Sequence, residues 1–265
     1  MRHPARPLSS AAVPALVILG LLLAWELGVR AAGIPDYTLP APSRIARALV
    51  EHGPSLAASW WFTLKITLGA LALACAGGVA IAALFALSPP LERAFFPLAV
   101  VLQVTPIVAV APLILIYVDS TTAALLLCAW IVAFFPILSN TVVGLRAADA
   151  RLRDLFTLYR ATPWQRLALL RMPSALPYFM AGLKVSGGLS LIGAVTAEMV
   201  AGAAGRETGL ASRILEASFR TETPKMFAAL TLLVLTGVLI FTGLNALSRR
   251  LLGPWHATGR GVGGD

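Results

Sequence analysis

Reactive side chains are few and dispersed along this chain. His3, His52 and His256 stand near the ends or in loops, without the clustered His, Asp and Glu that a membrane-embedded enzyme would need. Cys75 and Cys128 lie inside apolar runs with no CxxC partner, which reads as two small core hydrophobes rather than a disulfide or a metal-ligand pair. No G-x-x-x-x-G-K-[ST] phosphate loop occurs, so nucleotide hydrolysis is not expected of this chain. Neither a catalytic site, nor a cofactor of its own, nor a metal is expected.

The polar residues that could do chemistry are embedded in apolar stretches. An ionisable group there costs about 2.5 to 3.5 kcal/mol on insertion scales, so each needs a reason. Glu198, in VTAEMV, reads either as a carboxylate facing a solute pathway or as a packing partner of Lys225 or of a backbone group. Lys65 and Lys184 can snorkel to an interface, and Glu26 pairs with Arg30 at i+4. Gln103 and Thr105 beside Pro106, Ser139 with Asn140, and Ser186 with Ser190 are pathway candidates, because uncharged hydrogen-bonding groups hold a solute weakly. Interhelical hydrogen bonding is the competing reading for each.

The elements that must position these groups follow from composition. Of 265 residues, 58% are hydrophobic and only 12% charged, and the mean hydropathy is +0.83; a water-soluble globule is excluded. Apolar windows of about 20 residues fall at roughly 11 to 31, 62 to 87, 94 to 118, 121 to 145, 178 to 201 and 225 to 247, predicting six spans of an all-α polytopic membrane protein. The first run is too long for a signal-peptide core and lacks a convincing cleavage site. Prolines in the third window and glycines in the fifth are tolerated where neighbouring helices satisfy the freed backbone.

The net charge of +9 would suggest nucleic acid in a soluble protein. Distributed over six spans with the N-terminus inside, it becomes a topology signal instead, and no nucleic-acid partner is expected. Twelve arginines, from Arg2 and Arg6 through Arg146 to Arg171 and on to Arg260, fall on the inner side against four acids, whereas the outer segments nearly balance. Residues 1–10 and 248–265 are then cytoplasmic tails around a transmembrane domain at 11–247.

Two outer segments read as short interfacial helices. Ser43 is a candidate N-cap for one, with Ile45, Ala48 and Leu49 on one face and Gly53 as terminator; residues 210–220 form the other. Thr223 caps a sixth span that begins at Pro224, and Trp60 and Trp61 mark the outer interface. The longest polar interruption, ARLRDLFTLYRATPWQRLALLRMPSALP at 150–177, divides into two helices. Leu152, Leu155, Phe156 and Tyr159 make a narrow apolar stripe on the first. Thr162, Pro163 and Gln165 form a capping box for the second, Pro173 ends it, and Pro177 opens the next span. Such a hairpin is either a membrane-surface amphipath or a docking element for a soluble partner.

This segment resembles the EAA loop of binding-protein-dependent ABC-transporter permeases, whose pattern is E-A-A, three residues, G, nine residues, I-x-L-P. Without gaps, Asp154 takes the Glu position, Leu155 and Phe156 the Ala positions, Arg160 the Gly position, Leu170 the Ile position and Met172-Pro173 the Leu-Pro pair; TPWQR around Trp164 is similar to the family's S-R-W-Q. IPDYTLPAPSRIARAL, VTPIVAVAPLILIY, FFPILSNTVVGLRA and SALPYFMAGLKVSGGLSLIGAVTAEMVAG also look like this family, in the same order, and the likeness covers about 200 residues. It points to the branch importing nitrate, sulfonates, taurine and pyrimidine precursors.

The resemblance implies an importer permease with a MetI-like core in the bacterial inner membrane, working as a homodimer or paired permease. It further implies a periplasmic solute-binding protein and separate cytoplasmic ATP-binding subunits, which bind the ATP. Asp154, Leu155, Phe156, Tyr159, Arg160, Trp164 and Pro173 would then couple the permease to the ATPase. A secondary transporter or a membrane-embedded enzyme are the alternatives, but no inverted repeat is found.

Overall fold

The computed structural model of the protein describes residues 12–205 and 209–257. The tails with Arg2, His3, Arg6, Arg260 and Asp265, and the pair Arg206 and Glu207, lie outside the described residues. The regular elements among the described residues are all helical: α1 (Ala12–Ala31), α2 (Pro42–Glu51), α3 (Gly53–Leu87), α4 (Pro89–Val104), α5 (Ile107–Tyr117), α6 (Thr121–Arg146), α7 (Ala150–Leu158), α8 (Pro163–Arg166), α9 (Met172–Ala203), α10 (Leu210–Phe219) and α11 (Thr223–Ala257). Five rods are long and apolar enough to cross a membrane: α1, α3, α6, the rod ending in α9, and α11.

The third predicted span is not a single rod. α4 and α5 meet at 99°, because Pro106 donates no N–H and pushes the residue before it, Thr105, into extended backbone at φ −71, ψ 120. The opposite correction applies at Pro173, which does not end a helix. A π-helical turn at Leu167–Arg171, closed by the Met172 N–H on the Leu167 carbonyl, joins α8 to α9 and makes one rod over Pro163–Ala203. Widening the turn just before Pro173 gives room for a ring that would otherwise clash with the carbonyl four residues back.

Two caps also differ from expectation. α2 starts on Ala41 with Pro42 in its first turn, a proline whose fixed φ suits the helix start. Ser43 is therefore inside the helix, and its hydroxyl donates to Glu26 Oε1 at 2.8 Å; Gly53 opens α3 rather than only closing α2. Thr223 belongs to α11, and its hydroxyl donates to the Tyr37 carbonyl at 2.7 Å.

α3, α6 and α9 form the centre. In lipid there is no hydrophobic drive between helices, so close van der Waals approach through small residues must hold them. At Gly182 a Cβ would stand 2.6 Å from the Pro136 carbonyl oxygen, and at Gly144 one would stand 2.8 Å from the Ala175 Cα. Phe85, Ile137, Leu138 and Leu183 fill the middle of this contact. α2, α10 and the start of α11 pack together at one end around Leu56, Leu210 and Ala228; α7 and α8 cap the other. α1 stays peripheral, with Leu16, Val17 and Leu21 exposed.

Candidate functional site

The hairpin of α7 and α8 is built from local sequence chemistry. Asp149 caps α7 by accepting the Arg151 N–H at 2.7 Å. α7 closes in a Schellman motif: the Arg160 N–H reaches the Thr157 carbonyl at 3.0 Å and the Ala161 N–H the Phe156 carbonyl at 2.9 Å. Arg160 takes the left-handed position at φ 52, the place where glycine carries no Cβ penalty. Its occurrence at the Gly position of the EAA pattern thus keeps the turn and adds strain. α8 begins on the expected capping box, in which the Thr162 hydroxyl accepts the Gln165 N–H at 3.3 Å and the Gln165 side chain accepts the Thr162 N–H at 2.8 Å.

Six of the seven residues assigned to coupling therefore share one short hairpin. Tyr159 is 77% and Trp164 68% exposed, large aromatic surfaces left mostly uncovered by the described residues. Asp154, Leu155 and Arg160 are exposed on the same hairpin, and Phe156 is half-buried. Pro173 lies apart, half-buried in the first turn of α9.

At the other end, Glu198 is fully buried between α3, α9 and α10. Its Oε2 accepts the Thr63 hydroxyl at 3.1 Å and the Ala211 N–H at 3.1 Å. Thr63 Oγ1 in turn accepts the Leu210 N–H at 2.9 Å, and the Ser212 hydroxyl donates to the Glu198 carbonyl at 3.1 Å. The first turn of α10, whose N-cap is Gly209 and brings no side chain, is thereby capped from two other helices. A Cβ on Gly209 would overlap both Glu198 Oε1 and Thr63 Oγ1. Lys225, the cationic partner considered for Glu198, instead holds Glu222 at 3.0 Å and faces Glu216 at 3.9 Å.

The remaining pathway candidates spread over three elements. Gln103 is exposed near the α4–α5 break, and the Thr105 hydroxyl donates to the Val101 carbonyl at 2.7 Å. Ser139 and Asn140 donate to the Pro136 carbonyl. Ser186 crosses from α9 to the Ala133 carbonyl at 2.6 Å, and Ser190 bonds the Gly187 carbonyl at 3.0 Å. Glu26 does pair with Arg30, at 2.6 Å, but also accepts the Ser43 N–H at 2.9 Å. Trp60 donates to Thr236 at 2.7 Å, whereas Trp61 is exposed. Sequence reasoning missed Thr63 and Gly209; the G-L pair that opens an amphipathic segment after VTAEMVAG was the available signal.

These features define a multi-pass helical membrane protein with a short helical hairpin exposed between α6 and α9. Residues 74–253 match the model of the binding-protein-dependent transport system inner membrane component, and the chain belongs to that family: it is the permease component of an ABC importer, an inner-membrane protein. The formylaminopyrimidine transport permease protein ThiX of Halalkalibacterium halodurans is 32% identical over 244 residues, 92% of this chain and 95% of that one. The riboflavin transport system permease protein RibX of Chloroflexus aurantiacus is 33% identical, covering 92% and 90%, and the putative aliphatic sulfonates permease SsuC of Bacillus subtilis is 28% identical, covering 91% and 85%. Among solved structures, an amino acid ABC transporter with histidines superposes with a TM-score of 0.62 at 17% identity, over 76% of this chain and 96% of that chain; it supports the fold alone. Membership implies an ATP-binding subunit and a solute-binding protein as partners, and the relatives are transport subunits rather than enzymes.

Proposed function

We propose that this permease carries a small solute of the nitrate, sulfonate, taurine or pyrimidine-precursor kind, delivered by a periplasmic binding protein, and that α7 and α8 seat in a groove of the ATP-binding subunit. The observation that carries this reading is the bare aromatic pair Tyr159 and Trp164 on a hairpin fixed by a cap, a Schellman turn and a capping box. Such anchors on a pre-ordered short helix suit insertion into a groove, because little entropy is lost on docking. Asp154, Leu155, Phe156 and Arg160 surround the anchors, and Pro173 marks where the hairpin passes into α9.

The continuous rod over Pro163–Ala203 supports a coupling route. Closure of the ATPase on the hairpin would move α9 as a rigid body, and its far end holds Glu198 and the first turn of α10. Two copies pair about the pathway in this reading, with both termini cytoplasmic. Gln103, Thr105, Ser139, Asn140, Ser186, Ser190 and Glu198 supply the polar groups along the solute's route, several of them released from backbone carbonyls when the helices shift. ATP is bound by the partner subunit. The test is reconstitution of the permease with its ATP-binding subunit in proteoliposomes: one solute-loaded binding protein is expected to stimulate ATP hydrolysis. Absence of stimulation by every candidate binding protein would count against the reading.

A further inference from the structure

Two neighbouring cavities at the hairpin end share a single wall residue, Phe85. One is an apolar groove of about 340 Å³ between α3, α4 and α6. Leu91, Phe95, Leu98 and Leu102 recur along its α4 wall at helical spacing and stand 38 to 57% exposed. The other is a cavity of about 220 Å³ that receives Arg146, Arg153 and Arg171 and one carboxylate, Glu92. Glu92 is already ion-paired with Arg146. Arg171 spends one N–H on the Ala86 carbonyl at 2.9 Å, which leaves the rest of its fork free, and the Arg153 guanidinium has no partner among the described residues.

We propose that the two cavities together form a site for an anionic glycerophospholipid of the leaflet on the hairpin side, its acyl chain in the α4 groove and its phosphate between Arg153 and Arg171. Charge complementarity and continuity select this occupant. In a membrane-spanning chain an apolar groove on the outside of α4 is filled by an acyl chain unless protein covers it. At its polar end, two guanidinium forks with no ion-pair partner among the described residues match the bidentate geometry of a phosphate, as in basic pockets between spans that take acidic headgroups. A second permease copy laid symmetrically on this face would set the same cations near one another.

The test uses the full chain purified in mild detergent with equal amounts of phosphatidylglycerol and phosphatidylcholine, the retained lipid being counted by native mass spectrometry. Wild type is expected to retain phosphatidylglycerol in preference. R153Q/R171Q should lower that preference about fivefold for each arginine removed, and Leu98→Trp, which fills the groove, should lower phosphatidylglycerol retention with the arginines intact. R153Q alone breaks no hydrogen bond or ion pair among the described residues and keeps the test valid if the double variant misfolds. Equal retention of the two lipids, or unchanged preference in R153Q, overturns the proposal. So does displacement by soluble glycerol phosphate, which would mark a free-anion site, or a disulfide-linked dimer of Leu98→Cys in membranes, which would give the groove to a second copy.

Discussion

The carboxylate of Glu198, in the membrane-spanning rod of α9, accepts the backbone N–H of Ala211 in the first turn of α10 at 3.1 Å. A helix start leaves N–H groups without partners and carries a partial positive charge. With Gly209 at the N-cap, α10 cannot supply its own acceptor, so Glu198 and Thr63 do. Glu198→Ala is expected to destabilise this corner by about 1 to 3 kcal/mol, the cost of leaving buried donors unmet, whereas Glu198→Gln keeps an acceptor oxygen and should lose less. Thermal unfolding in detergent, with hydrogen exchange at Leu210 and Ala211, checks it; unchanged exchange in Glu198→Ala would refute the cap.

Gly209 gives a second route to the same corner. A methyl group there overlaps Glu198 Oε1 and Thr63 Oγ1, so Gly209→Ala must push α10 away or rotate the carboxylate. The expected loss resembles that of Glu198→Ala, and the double variant should lose clearly less than the two single losses added together, since both break one contact set. Additive losses would mean that Gly209 serves something else.

The strained turn after α7 makes an opposite prediction. Arg160 at φ 52 bears the left-handed penalty, so Arg160→Gly should steady the hairpin by about 1 kcal/mol, while Arg160→Ala should not. Slower amide exchange at Arg160 and Ala161 in the glycine variant is the readout. Thr221, at φ 57 in the matching turn after α10, should respond to glycine in the same direction. Equal exchange in Arg160→Gly and Arg160→Ala would remove strain from the account.

Acid should loosen the α10–α11 corner. The hydrogen bond from Arg213 holds the Glu216 carboxyl below its ordinary value of 4.5, and the charges of Lys225, Arg213 and Arg220 act the same way against a desolvation that raises it. A lowered folded value means that the contribution is complete above the unfolded value and fades as pH falls through the folded one. The thermal midpoint of wild type should therefore drop as pH is taken below about 4.5, and Glu216→Gln should flatten that part of the curve. A parallel drop in both proteins would place the acid sensitivity elsewhere.

Local signals carried much of this architecture. The capping box of Thr162 and Gln165 and the break into two hairpin helices were legible because their donors and acceptors lie within four residues. The apolar windows located five of the spans for the same reason, since length and hydropathy are local, whereas the third window hid the 99° break before Pro106. What escaped depended on distant partners or on one turn's register. Ser43 looked like a cap until Glu26, seventeen residues away, took its hydroxyl. Pro173 looked like a stop until the π turn at Leu167–Arg171 made room for it. Thr63 was one hydroxyl in an apolar run, and only the folded chain sets it against Glu198 and Leu210.

The central claim is that the hairpin transmits ATP-driven closure to the spans, and Tyr159 and Arg160 test it most directly. Wild type and a variant carrying Tyr159→Ala with Arg160→Glu should be reconstituted with the ATP-binding subunit and the solute-loaded binding protein, with ATP hydrolysis and solute uptake measured in the same proteoliposomes. The account predicts normal membrane insertion of the variant, with uptake lost and hydrolysis no longer responsive to the binding protein. Uptake equal to wild type would contradict it.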